Sequence, residues 1–272
     1  MFERLLEAVR ATTDGERTLR DLTAIAQFHR IQATPGYDEA AAWLESAIRG
    51  IGLQPERVPV PADGHTRAYG FPMPEGWRCQ HARVTLHGAG APRVIADYAV
   101  NPLSIVQRST SAQGRWPLVH LADAYVDGSC PDLSGQVALV PWSGNQAHEH
   151  AVRAAGAAGL LTYGRRLMPP VRTAEHDPDS LNYTSFWWAE DRPRTWGAVV
   201  SPRLQHELLQ RLRAGEPLEV ECDIVTERYA GTIPLITTTI PGDRPGEVLG
   251  TGHLCHPRQG AKDKASGASA VL

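Results

Sequence analysis

Residues 135–164, GQVALVPWSGNQAHEHAVRAAGAAGLLTYG, contain two short apolar runs on either side of a helical pattern. The first run, GQVALVPWSG, is short and rich in β-forming residues. The rest, QAHEHAVRAAGAAGLLTYG, predicts a helix followed by a buried strand. A strand, a helix and a strand of this length form a βαβ unit, so this stretch predicts an α/β fold.

The elements around this unit extend the same pattern. Residues 117–124 predict a strand before it, and residues 195–229 predict a strand, a helix and a long alternating strand after it. Ser201-Pro202 starts that helix and Gly215 ends it. We therefore expect residues 105–229 to form a compact β/α module.

The two flanks of this module predict a second α/β core, formed by residues 1–104 and 230–272. Helical spacing of apolar residues predicts helices near 2–10 and 16–31. A Pro-Gly turn followed by acidic residues, with Gly50 or Gly52 as the stop, predicts a third helix at 33–53. Residues 53–62 and the alternating run 82–88 predict strands. The β-branched run IPLITTTI predicts a central strand at 233–240, and EVLGTGHLCHP predicts a strand that runs into a loop. Ligand-type residues after the end of a strand are where open α/β sheets place their sites.

Composition limits the class of protein. The 272 residues are 42% hydrophobic with a net charge of −3, so we expect a packed globular protein without a nucleic-acid partner. Neither an apolar segment of membrane-spanning length nor a signal-type apolar region is present, and the four cysteines lie far apart. These features predict a cytoplasmic protein with reduced thiols and no membrane partner.

Residues 250–267, GTGHLCHPRQGAKDKASG, carry the candidate metal ligands. A loop of ten residues can bring His253 and Asp263 onto one ion, and zinc accepts both imidazole and carboxylate ligands. Spacing alone is a weak signal, because two such ligands often occur by chance. HEH at 148–150 is a poor zinc motif, since histidines two apart on a helix point to different faces.

Residues 251–272, TGHLCHPRQGAKDKASGASAVL, resemble the first metal motif of the zinc-dependent exopeptidase superfamily. The His-x-Cys-His-Pro form is similar to that of an uncharacterised bacterial aminopeptidase-like branch. TPGYDEAAAWLESAIRGIGL and NPLSIVQRSTSA resemble the same branch, and LSGQVALVPWSG with HAVRAAGAAGLLTYG resembles an inserted protease-associated domain. The resemblance implies an incomplete exopeptidase-type α/β core, the N-terminal portion only, interrupted by this β/α domain.

The resemblance also implies roles for individual residues. His253 would be a terminal ligand to one of two zinc ions, and Asp263 would bridge both ions. Cys255 stands where the superfamily usually has an aspartate that orients the histidine, and His256 would contact substrate or orient the loop. Lys262 and Lys264 replace the asparagines that flank the bridging aspartate, and two ammonium groups there would repel a dication.

In the resembled enzymes the general-base glutamate and the remaining ligands follow this motif, so we expect them beyond residue 272. The favoured function is a di-zinc aminopeptidase-like hydrolase acting on peptides, with this chain alone inactive. The alternative is a non-catalytic fragment or pseudoenzyme whose inserted domain serves binding or shielding. The sequence does not indicate an oligomeric state.

Overall fold

A computed structural model describes residues 2–68, 70–124, 129–165, 168–173, 175–187, 192–258 and 260–272, except the side chains of Leu5, Lys262 and Asp263. The fold is mixed α/β, as the sequence predicts. The chain divides into two compact units, Met1–Thr66 with Ala230–Leu272, and Arg67–Tyr229. None of the helices in the described ranges has the length and apolar content that a membrane crossing requires.

The first unit is mainly helical and contains one small antiparallel sheet. Its helices are α1 (Phe2–Thr12), α2 (Gly15–Ala26), α3 (Pro35–Gly50) and α7 (Ser266–Val271), and its strands are β1 (Glu56–Ala62) and β11 (Gly231–Thr237). A π-helical turn, Ala261–Ala265, leads directly into α7. The predicted helices and the predicted strand near 53–62 are therefore confirmed.

The core of this unit joins the two ends of its sequence. The Asp14 carboxylate starts α2 by accepting bonds from the backbone amides of residues 16 and 17, and Pro35 occupies the first turn of α3. The buried side chains at the centre are Ile25, Tyr37, Ala40, Ala41, Leu254, Ala265 and Ala268. Leu254 lies in this core and so anchors the segment that carries the candidate ligands.

Two predicted strands near the C-terminus differ from the structure. β11 ends at Thr237 and pairs with β1, and no second neighbour exists among the described strands. The strand predicted in EVLGTGHLCHP is wrong, because the described residues there form only one bridge, between Arg30 and His256. Val248 and Leu249 are 98% and 79% exposed. An apolar run becomes a strand only where a neighbour completes its backbone hydrogen bonds, and among the described residues this segment has such a partner only at His256, which bonds with Arg30.

The second unit is built on one mixed sheet of seven strands in the order β5-β4-β10-β6-β7-β8-β9. Its strands and helices are β2 (Arg67–Ala68), β3 (Phe71–Pro72), β4 (Gly76–His87), β5 (Arg93–Asp97), β6 (Ala112–His120), α4 (Leu121–Ala124), β7 (Val137–Val140), α5 (Gly144–His148), β8 (Gly159–Thr162), β9 (Gly197–Val199), α6 (Pro202–Arg213) and β10 (Glu219–Tyr229). Strands β7 and β8 pair in parallel and α5 lies between them in the chain, which confirms the predicted βαβ unit.

This unit starts at Arg67, earlier than the predicted module. The reason is that β4 pairs with β10 along its length and β5 pairs with β4, so strands before residue 105 share the sheet. One face of the sheet packs around Trp196, whose ring lies 2.3 Å from the place where a Cβ on Gly159 would be. The identity of this unit as a protease-associated domain stays a prediction.

Candidate metal centre

The segment Thr251–Arg258 holds three of the four predicted site residues and lies in the first unit. His253 is exposed, whereas Cys255 and His256 are half-buried. Leu254, between them, is 8% exposed and packs in the core. His253 is therefore exposed, whereas Leu254 lies in the core and Cys255 packs against it.

Arg30 fixes this segment from the opposite side. Its backbone forms two hydrogen bonds with His256. The Arg30 amide donates to the His256 carbonyl at 2.9 Å, and the His256 amide donates to the Arg30 carbonyl at 2.8 Å. Its guanidinium Nε donates to the carbonyl of Leu254 at 2.9 Å, and Nη1 donates to the carbonyls of Ile25 and Phe28 at 2.5 and 3.0 Å. The Arg30 side chain is 0% exposed. A buried cation thus holds the backbone on which His253 and Cys255 sit.

The side chains of His253 and Cys255 touch each other. The Cys255 sulfur lies 3.5 Å from Nδ1 and 3.4 Å from Nε2 of His253. Burial raises the pKa of the Cys255 thiol, while the positive charges of Lys264 and Arg30 and a hydrogen bond with Gln32 oppose the rise. The predicted orienting position next to His253 is therefore occupied by a thiol close to two cations.

His256 points in another direction. Its Nδ1 donates to the carbonyl oxygen of Pro257 at 2.8 Å, which fixes the proton on that nitrogen. The ring lies on Gly260, where a Cβ would be 1.8 Å from Nδ1. Gly260 also has a φ of +26°, so a larger residue is unfavourable there on both grounds. The structure gives His256 a packing role in the loop, and its predicted contact with substrate stays a prediction.

Asp263 lies in the π-helical turn Ala261–Ala265, and its side chain is outside the described part of the structure, as is that of Lys262. The turn is followed by α7, whose first residue is Ser266. A Cβ on Gly252 would lie 3.3 Å from the Cα of Ala268 in this helix. The backbone just before His253 therefore runs against the helix that follows Asp263.

The donors in this region fit a zinc ion in chemistry. Imidazole, thiolate and carboxylate are all zinc ligands. Among the side chains that the structure describes, no three His, Cys, Asp or Glu residues gather in a way that could hold a metal ion, and Asp263 lies outside that set. Arg30 and Lys264 act against a cation, so an anionic sulfur or carboxylate must offset them.

The histidines of the HEH motif pack against other side chains and backbone groups of the second unit. His148 is 0% exposed, and its Nε2 lies 2.6 Å from the carbonyl oxygen of Pro193. His150 stacks on Trp142 with ring centroids 4.1 Å apart. The two side chains therefore occupy separate environments, as expected for histidines two apart. Arg30 was missed by sequence reasoning, because a single arginine in QFHRIQ carries no pattern.

Comparison with known proteins identifies relatives by structure alone. No family model and no curated protein matches the sequence. Among solved structures, a peptidase M28 precursor from Shewanella amazonensis has a TM-score of 0.56 at 13% identity, covering 86% of this chain and 52% of that one. A zinc aminopeptidase from Bacillus subtilis has a TM-score of 0.54 at 16% identity, covering 93% and 55%.

An aminopeptidase from Aneurinibacillus sp. strain AM-1 has a TM-score of 0.52 at 18% identity, covering 96% of this chain and 58% of that one. This chain therefore spans little more than half the length of the structures it matches. At these identities the likeness concerns the fold. The chain has the α/β fold of zinc aminopeptidases of the M28 type, as the resemblance of its motifs implies.

Proposed function

We propose that this chain forms part of a zinc-dependent aminopeptidase-like hydrolase whose substrates are peptides. The observation that carries the proposal is that Gly252, next to the exposed His253, packs against Ala268 in the helix after the turn of Asp263, and that the buried Arg30 holds the Leu254 carbonyl. The fold shared with zinc aminopeptidases supports the same chemistry. In this proposal His253 and Asp263 would hold the metal, with Asp263 as the ligand shared by two ions.

A zinc ion held by these residues would supply Lewis acidity toward a peptide carbonyl and toward water. The residues of this chain would determine where the ion is held. Arg30 donates to the carbonyl of Leu254, which fixes the backbone next to the exposed His253. Proton transfer requires a general base, and we assign it to a glutamate outside these 272 residues. Peptide hydrolysis is thus proposed for a longer protein of which this chain is a part.

Zinc titration of this chain by calorimetry, with the Asp263→Ala variant, tests the metal site. We expect the variant to lose at least ten-fold in zinc affinity, since it removes one of the few protein ligands. Asp243→Ala is the matched control, because Asp243 is an exposed aspartate in the same unit. Equal zinc affinity in both variants and the parent chain would refute the assignment of Asp263.

One observation favours the alternative, a non-catalytic protein whose second unit serves binding or shielding. Lys264 and Arg30 both act on the Cys255 sulfur, so two cations lie near the proposed site. Such a site repels a dication unless an anion offsets the charge. Absence of zinc binding in the parent chain would select this alternative.

A further inference from the structure

We propose that Trp187 is a binding platform for an aromatic side chain of a peptide. The choice of a peptide as the ligand rests on the proposed function, whereas the platform itself rests on contacts within the second unit. These contacts combine an exposed indole, a backbone held by two hydrogen bonds and a buried arginine under the ring. The platform shares no residue with the candidate zinc site, which belongs to the first unit.

Trp187 differs from the other tryptophans that the structure describes. It is 45% exposed, whereas Trp77 and Trp196 are 1% and 2% exposed and the remaining described tryptophans are half-buried. The residue before it, Phe186, is fully buried in the core of the second unit. Exposing a large apolar side chain is unfavourable, and tryptophan is enriched among the residues that dominate binding interfaces. An exposed indole beside a core residue is therefore a candidate contact for a ligand.

Both backbone polar groups of Trp187 are held by one side chain. The Trp187 amide donates to Oδ1 of Asn145 at 2.8 Å, and Nδ2 of Asn145 donates to the Trp187 carbonyl at 3.2 Å. The Phe186 amide donates to the carbonyl of Gln107 at 3.0 Å, so the chain that enters Trp187 is also fixed. A preorganised backbone of this kind reduces the entropy that the protein loses when a ligand binds.

A glycine allows Asn145 to reach this position. Gly144 has a φ of +54°, and a Cβ there would lie 3.0 Å from the carbonyl oxygen of Ser185. A side chain at residue 144 is unfavourable on both grounds. The start of α5 therefore depends on Gly144 to bring Asn145 against the backbone of Trp187.

Arg108 lies under one face of the indole. Its Cζ is 4.7 Å from the ring centroid, and its Nη1 donates to Oγ of Ser185 at 3.0 Å. Arg108 is 3% exposed and has a φ of +65°, a conformation that non-glycine residues rarely adopt. Residues in such conformations concentrate at ligand-binding sites. Because the buried guanidinium covers one face of the ring, the exposed part of Trp187 consists of the opposite face and the ring edges.

The charge of Arg108 selects among the groups that could stack on the open face. The guanidinium already interacts with the π electrons of the indole, and its charge repels a second cation on the open face. An anion there meets the negative potential of the ring face. A neutral aromatic ring avoids both penalties and adds a stacking interaction to the burial of apolar surface. The ligand that fits is therefore a phenylalanine, tyrosine or tryptophan side chain of a peptide.

Peptide titration of the zinc-free parent chain by two-dimensional NMR tests the inference. Three acetylated and amidated tripeptides, Ala-X-Ala, carry phenylalanine, cyclohexylalanine or lysine at X. We expect the phenylalanine peptide to shift the Trp187 indole N–H and the Asn145 side-chain amide to saturation. Cyclohexylalanine has a similar size without π electrons, so we expect its peptide to bind about two- to twelve-fold more weakly, as the loss of an aromatic pair implies. The lysine peptide should not bind.

Two variants and a control assign the effect to the ring. Trp187→Leu keeps an apolar cover over Arg108 and should lose the preference for phenylalanine over cyclohexylalanine. Trp187→Phe should retain that preference, and its missing indole signal identifies the Trp187 resonance. Phe71→Ala is the matched control, because Phe71 is an aromatic residue of the same unit and is 74% exposed. Its affinity for the phenylalanine peptide should equal that of the parent chain.

Shifts confined to other residues, or the same preference in Trp187→Leu, would overturn the platform. A parent chain that binds no peptide would also overturn it, and a lower melting temperature in Trp187→Leu would then give the indole a structural role. Where Trp187→Leu does not fold, the location of the shifts in the parent chain decides the question. Zinc titration of Asp263→Ala is a separate experiment, so failure of either proposal leaves the other standing.

Discussion

Replacement of Arg30 by methionine tests the clamp that positions the candidate site. The change removes the donors to the carbonyls of Leu254, Ile25 and Phe28. The carbonyl of Ile25 still accepts a hydrogen bond from the Phe28 amide at 3.3 Å. The carbonyls of Leu254 and Phe28 lose the Arg30 donor, and each loss destabilises the fold by about 1–3 kcal/mol. Methionine retains much of the volume and removes a buried charge, which offsets part of the loss. We expect the segment to be destabilised by about 2–4 kcal/mol.

Native-state hydrogen exchange is the assay, because it reports opening of this segment separately from the rest of the chain. The His256 amide donates to the Arg30 carbonyl at 2.8 Å and should exchange about 30- to 700-fold faster in Arg30→Met, since 1.4 kcal/mol is a factor of ten. Arg20→Met is the control. The Arg20 side chain is 66% exposed and forms only a weak surface ion pair with Glu16, at 4.0 Å. Exchange at His256 within three-fold of the parent chain would refute the clamp.

Three further predictions concern the loop, the second unit and the segment before the site. Gly260→Ala should lower the melting temperature by several degrees, because its Cβ displaces the ring of His256; an unchanged value in calorimetry would exclude that packing. Hydrogen bonds from Arg213 and His120 lower the pKa of Asp123 to about 2. Its contribution to stability is therefore complete above the unfolded-state pKa of about 3.9 and is lost as the pH falls toward 2. Acid unfolding should therefore depend less on pH between these values in Asp123→Asn, and identical curves would contradict this. Amides of residues 238–249 should exchange with little protection, and strong protection would mean that this segment has strand neighbours.

Local sequence signals predicted most of the elements. The Pro-Gly turn and acidic residues that start α3, and the Ser201-Pro202 start of α6, are confirmed because caps and first turns depend on neighbours in sequence. The βαβ unit around β7 and β8 is confirmed for the same reason, since its three parts are contiguous.

Features that depend on distant residues were not predictable in this way. β4 and β10 pair across more than a hundred residues, so no local change of composition marks Arg67 as the start of the second unit. The apolar run at 247–254 has a strand-like composition, but strand formation requires a neighbour that the described chain does not offer.

The candidate site depends both on residues that are close in sequence and on one that is distant. The motif predicted His253 and Cys255 as neighbours, and the structure places their side chains 3.4 Å apart. Arg30 lies more than two hundred residues earlier, so only the folded chain brings it to Leu254.

Anomalous X-ray diffraction at the zinc edge, from crystals of this chain grown with zinc, tests the central claim most directly. The account predicts an anomalous peak within about 2.0–2.2 Å of a His253 ring nitrogen and an Asp263 carboxylate oxygen. A peak at other residues, or none at His253, would contradict the assignment of this loop as a zinc site.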